Sequence, residues 1–260
     1  MGEIKAPLPP VIAPRAGGDI IVRQFRPSDA PQVHALLLEG LVYGPESPRN
    51  TALRRSLTRP VALLAYSGLL LGSATLYLSL NPILRVSGIT ICTASLALLL
   101  YFWHSIHIWF INYCLHARRT DMKDITKTYE IPADGSGLEQ GPGGFFVAAI
   151  EDGKSSEVVG YLGLDYHVSS DPTSAEFRRM MVSSRHRRRR IASLLLGAAI
   201  AHARTRSPPL LTLDLETTEF QPGARKLYER HGFEVVRSSL MTEGLFFRAR
   251  MLRLRRSVDG

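Results

Sequence analysis

Four consecutive arginines, residues 187–190, stand between two apolar segments of the sequence. A predicted strand, residues 175–182, precedes them, and a predicted helix that begins near Ile191 follows them. The first N–H groups of a helix have no intrahelical partner, and the helix dipole adds partial positive charge there. This order of elements predicts an anion site that would hold a diphosphate through backbone and side chains together. The alternative is a solvated arginine run or a nuclear-import-like basic stretch.

The basic charge of the chain is concentrated at this loop. The 260 residues carry 32 Lys and Arg against 23 Asp and Glu, a formal net charge of +9, and residues 177–190 alone hold seven arginines and no acid. About +2 is therefore left for the rest of the chain, which argues against a protein-wide field for nucleic acid. A hydrophobic content of 45% with only two cysteines, Cys92 and Cys114, excludes a disordered tail protein and a disulfide scaffold.

A second block lies downstream in a fixed order: L-T-L-D-L-E at residues 211–216, then Q-P-G-A-R-K-L-Y-E-R-H-G-F at residues 221–233. Together with the arginine loop, it resembles the GNAT superfamily of acetyl-CoA-dependent N-acetyltransferases. Members of that family carry a strand followed by N/Q-x-x-A-x-x-L-Y-x-x-x-G-F. Their R/Q-x-x-G-x-G/A loop holds the coenzyme A pyrophosphate. Arg187 and Ala192 match this loop, whereas Arg190 replaces its glycine and Arg188 replaces a flanking residue that is often glycine.

The resemblance implies an α/β (α+β) fold, with a mixed, mostly antiparallel central sheet flanked by helices, and acetyl-CoA as co-substrate. A side chain at the glycine position can obstruct the approach of phosphate to the backbone, but helical backbone angles are open to arginine there, and its guanidinium group can bind phosphate bidentately. The expected coenzyme-binding residues are Met181, Val182, Arg187, Arg188, Arg189, Arg190, Ile191, Ala192 and Gln221.

Attack of an amine on a thioester needs a base, donors for the developing oxyanion and an acid for the departing thiolate. Glu176, on the strand that leads to the loop, is the candidate base, directly or through water; its alternative role is an ion pair with Arg178 or Arg179. Tyr228 is the candidate acid because its family counterpart lies near the sulfur, and a core tyrosine is the alternative. The backbone N–H of Met181 or Val182 would polarise the thioester carbonyl.

Other polar residues carry weaker expectations. Glu216 and Glu219 are placed to touch the substrate amine or to remain solvated. His104, His107 and His116 are spaced to share a helical face, but no carboxylate or thiolate set completes a metal site there, so we expect interfacial histidines and no metal.

The elements that must position these residues follow from hydrophobic periodicity. A leader, residues 1–18, is expected to be flexible. Strands are predicted at residues 19–25, 145–150, 158–164, 175–182, 210–216 and 246–254. Helices are predicted after residue 28, from Ile191 to the prolines at 208–209, and at residues 224–230.

Two apolar segments lie between the first helix and the second strand. Residues 61–80 contain no formal charge, and residues 86–111 contain none if the histidines are neutral, so each is long enough to cross a bilayer. Arg54, Arg55 and Arg59 precede the first span, and Arg118, Arg119 and Lys123 follow the second, whereas the turn between them holds only Arg85. This distribution predicts that both ends face the cytosol. A buried helical pair of a soluble domain is the alternative.

The layout predicts an acetyltransferase domain formed by residues 19–55 and 120–255, with a transmembrane helical hairpin, residues 60–112, inserted between them. It resembles the camello-like membrane-anchored branch of the GNAT superfamily, whose known members acetylate cysteine S-conjugates or protein lysines at the endoplasmic reticulum. The resemblance implies an integral membrane protein of the endoplasmic reticulum or another endomembrane, with its catalytic domain in the cytosol.

Two functional hypotheses follow. The first is a membrane-anchored N-acetyltransferase that transfers acetyl directly from acetyl-CoA to an amine acceptor: a small-molecule amine, a cysteine conjugate or a protein lysine. The second is a catalytically silent membrane module that binds an anionic ligand or partner through its arginines. Nucleic acid is not an expected partner, because no aromatic stacking stripe lies beside the arginines. The acceptor would be selected by the loops at residues 131–144, 166–174 and 217–222.

Overall fold

A computed structural model describes residues 19–131, 143–152, 155–169, 171–205, 210–243 and 247–259, and the backbone of residues 11–13. The strands are β1 Val11–Ala13, β2 Ile20–Gln24, β3 Gly144–Glu151, β4 Ser156–Asp165, β5 Ser174–Val182, β6 Thr212–Thr218, β7 Glu234–Glu243 and β8 Phe247–Ser257. The α-helices are α1 Ala30–Leu38, α2 Pro48–Ser56, α3 Pro60–Leu78, α4 Pro82–Arg119, α5 Ile125–Thr128, α6 Ile191–Arg204 and α7 Pro222–Arg230. Of the expected leader, only β1 lies within the described residues.

The described strands form one mixed sheet in the order β1-β2-β3-β4-β5-β6-β8-β7. Every neighbouring pair is antiparallel except β5 and β6, which are parallel and joined through α6. The expected fold class, a mostly antiparallel α/β sheet flanked by helices, is confirmed.

Both faces of the sheet are covered, because alternate residues of its central strands enter two separate cores. Phe145 and Val147 of β3 join a core under α1, α2 and α4. Phe146 and Ala148, which point the other way, join a core under α6 and α7. The near-continuous apolar sequence of β3 follows from this burial on both sides.

Helices α3 and α4 form an antiparallel hairpin joined by a short turn at Asn81, whose side chain accepts a hydrogen bond from the N–H of Ile83 at 2.9 Å. Small residues let the two helices approach closely: a Cβ added at Gly68 would lie 2.2 Å from Ser95 Oγ. One added at Gly72 would lie 2.8 Å from the carbonyl oxygen of Gly88. Both helices are long and apolar enough to cross a membrane by length and composition.

Helix α4 continues without a break to Arg119, beyond residue 112, where the sequence analysis ended the hairpin. Along its second half, Phe102, Ile106, Phe110 and Cys114 recur at four-residue intervals and are buried in the core beneath the sheet. Because one face of this half is needed by the core, the same helix serves both the hairpin and the α/β domain.

The structure confirms the strands predicted from periodicity, with boundaries that differ by a few residues, and the helices that became α1, α6 and α7. It adds β1, which pairs with β2 from within the expected leader, and α2, α5 and β7, none of which the sequence analysis predicted. β7 escaped notice because nearly all of its side chains are exposed, so its sequence shows no apolar face.

Candidate active site

A cavity of about 570 Å³ opens beside the point where β5 and β6 separate. Its walls come from β5, β6, α7 and the last turns of α4. The residues that line it and enter the arguments below are Trp109, Phe110, Tyr113, His116, Glu176, Arg178, Arg179, Met180, Met181, Glu216, Thr218, Gln221, Tyr228 and Glu243.

The opening arises from strand pairing. β5 and β6 pair in parallel only from Ser174 to Phe177, opposite Thr212 to Leu215. Beyond this point β6 continues to pair with β8, while β5 pairs with β4 alone. The two strands therefore leave a gap between their carboxyl ends, which is where ligands bind at parallel strand pairs in open sheets.

A β-bulge in β5 lies at this gap. Between the pairs Gly163–Arg178 and Tyr161–Met181, β4 has one residue, Leu162, whereas β5 has two. The first of these two is Arg179, whose φ is 57°. Asp121, which follows α4, accepts hydrogen bonds from Arg179 Nε at 2.7 Å and from its Nη2 at 2.9 Å. This buried pair holds the strained residue in place.

The surroundings of the pair favour its charged state. The ring of Tyr113 lies 5.0 Å beneath the Arg179 guanidinium, and the Tyr129 hydroxyl donates to Asp121 Oδ2 at 3.2 Å. Burial alone would raise the pKa of Asp121, but the hydrogen bonds and positive charge of Arg179 hold it below its ordinary value.

The ladder between β4 and β5 distinguishes the two candidate oxyanion donors. Ser183 donates its N–H to the carbonyl of Val159 at 2.9 Å. Because directions alternate along an antiparallel strand, the N–H of Met181 also points towards β4, and that of Val182 points away from it, to the gap. The geometry therefore favours Val182 over Met181 as the donor.

The arginine loop, residues 187–190, lies between β5 and α6. Its backbone angles differ from the helical ones considered in the sequence analysis. Arg188 and Arg190 do not have helical angles: their φ values are 64° and 60°, in the left-handed region that favours glycine. At the two positions where arginine replaces a glycine of the family's loop, the backbone thus keeps the conformation that a glycine would adopt freely. An L-residue pays about 1–2 kcal/mol for it.

The four arginines differ in their partners. Arg187 pairs with Glu46, and Arg189 hydrogen-bonds His186. Arg188 and Arg190 are exposed, and their side chains make no ion pair or hydrogen bond with the described residues. Two guanidinium groups are therefore available to phosphate, as the anion-site interpretation requires.

Helix α6 starts at the end of this loop. Its N-cap, Arg190, makes no side-chain capping bond, so the first-turn N–H groups of Ile191 and Ala192 are open to an anion. The loop is anchored from the other side by Glu39, whose Oε1 accepts from Ser184 Oγ at 2.7 Å and from Ser184 N at 3.2 Å. Burial opposes the charge of Glu39, yet these bonds lower its pKa.

Glu176 lies in the cavity wall, mostly buried, with its Oε1 at 3.7 Å from Arg178 Nε. Arg178 lies closer to Asp165, with its Nη1 at 3.0 Å from Asp165 Oδ2, and Arg179 forms its ion pair with Asp121. Neither arginine is therefore a full partner for Glu176. Burial raises the pKa of Glu176; Arg178 lowers it and Glu216 raises it further. A carboxylate with a raised pKa is suited to accept a proton near neutral pH.

Tyr228, on α7, is almost fully buried, and burial raises its pKa to about 12. Its hydroxyl contacts the sulfur of Met180 at 3.6 Å, so it already faces a sulfur atom across the gap. Gln221 precedes the same helix and accepts a hydrogen bond from Thr217 Oγ1 at 3.1 Å. Both side chains line the cavity.

The histidines predicted to share a helix face are separated in the structure. His116 lines this cavity, whereas His104 and His107 line a different one near α2. Within the described ranges, no group of three or more His, Cys, Asp or Glu side chains is arranged to hold a metal ion.

Comparison with known proteins adds to this geometry. A model of the acetyltransferase (GNAT) family matches residues 103–233. The human protein N-acetyltransferase 8B is 32% identical over 82% of this chain and 83% of its own length. "Probable N-acetyltransferase camello" of Xenopus tropicalis is 27% identical over 86% of this chain and 90% of its own. Among solved structures, an N-acetyltransferase from Staphylococcus aureus Mu50 covers 92% of this chain and 98% of that one, with 12% identity and a TM-score of 0.48.

The chain belongs to the acetyltransferase (GNAT) family. It is similar to camello-like members over most of its length, and the family resemblance drawn from the sequence is confirmed. Family membership makes it an acetyl-CoA-dependent N-acetyltransferase. It also favours the enzyme over the catalytically silent alternative.

Several residues of this GNAT domain that shape the site escaped the sequence analysis. Asp121 and Glu39 lie far from β5 in the chain, and nothing in their local sequence reveals the contacts that hold the bulge and the arginine loop. Thr218 lines the cavity with a buried Oγ1 that has no partner among the described residues. The expected specificity loop at residues 131–144 lies largely outside the described residues.

Proposed function

We propose that the protein transfers the acetyl group of acetyl-CoA to an amine acceptor by direct attack, from a domain anchored to an endomembrane and facing the cytosol. The observation that carries the proposal is the gap between β5 and β6: a mostly buried carboxylate and a buried hydroxyl line the cavity beside it, and the N–H of Val182 points away from β4. In this proposal the diphosphate contacts come from the arginine loop, between β5 and α6, where Arg188 and Arg190 have the backbone angles of glycine.

In the proposed reaction the acceptor nitrogen forms a bond to the thioester carbon and the carbon–sulfur bond breaks. Glu176 takes the proton that the nitrogen loses, directly or through water, and the N–H of Val182 binds the developing oxyanion. Tyr228 donates a hydrogen bond to the departing thiolate. With its pKa raised to about 12, this hydroxyl stays protonated throughout. Full transfer of its proton to a thiolate is uphill, so its role is stabilisation of the leaving sulfur.

The acceptor side of the cavity is acidic. Glu216 and Glu243 line it with Glu176, and so do the aromatic rings of Phe110 and of Trp109, whose Nε1 donates a hydrogen bond to Glu243. Carboxylates attract an ammonium ion and aromatic rings accept its apolar body. This lining supports an amine with an apolar substituent, which fits both a cysteine S-conjugate and a lysine side chain.

Release of free thiol from acetyl-CoA, measured on the full chain in detergent with a panel of cysteine conjugates, lysine peptides and polyamines, tests the activity. Glu176→Gln is expected to lower the rate by about a hundredfold or more, because a general base contributes a factor of this order. Coenzyme A affinity should be kept. Glu234→Gln, an exposed carboxylate of β7 outside the cavity, is the control. Full activity of Glu176→Gln would remove Glu176 from the mechanism.

Membrane anchoring rests on the length and apolar composition of α3 and α4 and on the arginines at their outer ends. Sealed vesicles carrying the full chain test the orientation. We expect an added protease to digest the acetyltransferase domain from the cytosolic side. Protection of that domain within the lumen would contradict the charge argument, and release of the chain by an alkaline wash would contradict anchoring itself.

A further inference from the structure

A second cavity, of about 480 Å³, lies between α2 and the middle of α4, apart from the acetyltransferase site. The two helices contribute comparable shares of its wall. The residues that line it are Arg49, Leu53, Arg54, Leu57, Trp103, His104 and His107.

The pairing of the hairpin places this cavity at one end of the apolar helices. Gly68 contacts Ser95, and Gly72 contacts Cys92. Continuing this antiparallel register sets Pro60, the first residue of α3, at the level of Trp103. The cavity therefore lies where α3 begins and where α4 passes from its apolar half into the α/β domain. If the hairpin spans a bilayer, this level is the headgroup region.

Three of the lining residues carry a polar atom that is buried without a partner. Among the described residues, Arg49 Nε, Trp103 Nε1 and the Nδ1 of His107 are inaccessible to solvent and make no hydrogen bond. Arg49 uses only its Nη1, on the side chain of Asn50 at 3.3 Å. Because these three atoms have no accessible surface, the groups of the wall that can contact a ligand are the guanidinium Nη atoms of Arg49 and Arg54.

The charge of the cavity wall selects the acceptor. None of the seven lining residues is acidic, and Arg49 and Arg54 bring two positive charges. Arg55 of the same helix instead pairs with Glu219, at 3.4 Å. Leu53, Leu57 and the Trp103 ring make the rest of the wall apolar. An anion with an attached hydrocarbon portion fits this combination, because guanidinium groups bind phosphate and the apolar wall accepts the chain.

We propose that this cavity binds the phosphate of an anionic phospholipid headgroup, with the guanidinium groups of Arg49 and Arg54 as its donors and the leucines against the start of an acyl chain. The site would fix the angle at which α2, and the domain behind it, meets the membrane. The inference rests on the proposed membrane anchoring and concerns none of the residues placed in the acetyl-transfer machinery.

The test uses the full chain purified in detergent and examined by native mass spectrometry after addition of phosphatidylserine, phosphatidylcholine or inorganic phosphate. We expect one phosphatidylserine molecule to be retained in preference to phosphatidylcholine, and no retention of inorganic phosphate. Equal retention of both lipids would overturn the charge selection. Retention of inorganic phosphate as firm as that of the lipid would overturn the lipid assignment.

Variants locate the site. Arg49→Gln and Arg54→Gln, each of which removes one positive charge from the cavity wall, are each expected to weaken retention by about tenfold, the effect of one charge-assisted hydrogen bond. Arg118→Gln removes a positive charge from the end of α4, outside the cavity, and is expected to have no effect. If both variants of the cavity wall retain lipid like the wild type, the proposal is wrong.

Extraction of membranes at alkaline pH distinguishes a failure of the lipid-site proposal from a failure of the membrane anchoring. A wild-type chain that stays in the membrane but shows no lipid preference refutes the lipid site alone. A chain that leaves the membrane refutes the anchoring on which the lipid site depends.

Discussion

Replacing Arg190 by glycine should raise stability and weaken coenzyme binding at the same time. Arg190 is the N-cap of α6, with a φ of 60°, and its exposed side chain has no protein partner in the described part of the chain. The backbone therefore has a conformation that glycine favours, while the side chain is free for a ligand. The two properties can be separated because one belongs to the backbone and the other to the guanidinium group.

The stability effect is a difference of two terms. Glycine removes the left-handed penalty of about 1–2 kcal/mol, and its freedom in the unfolded chain costs about 0.5–1 kcal/mol. At the midpoints of these ranges the net gain is about 0.75 kcal/mol, which raises the Tm of a chain of this size by roughly 1.5–3 °C. Arg190→Ala keeps a Cβ and therefore keeps the penalty, so it is the matched control and should show no gain.

The binding effect has the opposite sign. Loss of one guanidinium contact to a phosphate should cost about 1.5 kcal/mol of binding free energy. This is the lower end of the range for a charged hydrogen bond and applies because the group is exposed to solvent. Coenzyme A affinity should fall by about tenfold. Arg190→Ala should lose affinity to the same degree, because it lacks the same group.

Calorimetric titration with coenzyme A and thermal unfolding of the same detergent preparations provide both numbers. Equal Tm values for the glycine and alanine variants would refute the backbone argument. Tighter coenzyme binding by Arg190→Gly would show that the arginine obstructs the phosphates, and would refute the idea that it replaces the glycine contact.

Three further predictions test the site and the fold. Tyr228→Phe should lower kcat by about tenfold and leave coenzyme A affinity unchanged; an unchanged kcat would assign the hydroxyl to the core. Asp121→Asn should destabilise the fold by about 3–5 kcal/mol, because it leaves the buried Arg179 charge unpaired. Since the folded pKa of Asp121 is lowered, its stabilisation is full above the unfolded pKa of about 3.9 and disappears as the pH falls through the folded value, which urea unfolding against pH would measure. Gly72→Ala would set a Cβ 2.6 Å from Cys92 Sγ and should cost about 1–3 kcal/mol. Gly197→Ala, where nothing lies within 4 Å, should instead be stabilising, and equal thermal shifts for these two variants would contradict the hairpin packing.

The sheet was predictable wherever burial leaves a trace in the sequence. β3, β4 and β5 are rich in apolar residues because both faces of the sheet are covered, and the amphipathic pattern of α6 follows from one buried face. β7 was not predictable, since an exposed edge strand carries no such pattern. The length of α4 was also missed: apolar composition marks a span, but does not show that the same helix continues as a wall of the domain.

The site divides in the same way. The sequence order of a strand, an arginine loop and a helix predicts an anion site there, because those features are local. The left-handed angles of Arg188 and Arg190 were not foreseen, since arginine in a loop gives no sign of the backbone that the strand before it and the helix after it impose. The clamp of Arg179 by Asp121 joins residues 58 positions apart and depends on packing that only the folded chain reveals.

The continuity of α4 limits where the acceptor can be. If the apolar half of the helix ends near Leu100, Trp109 and Tyr113 in the cavity wall lie about 14–20 Å further along at 1.5 Å per residue. The headgroup layer adds only roughly 5–8 Å to each side of the hydrocarbon core. The cavity would therefore open in the aqueous phase just above the headgroups. A rigid helix cannot lower it into the bilayer, so the geometry favours water-soluble amines and lysines close to the membrane surface over amines buried among acyl chains.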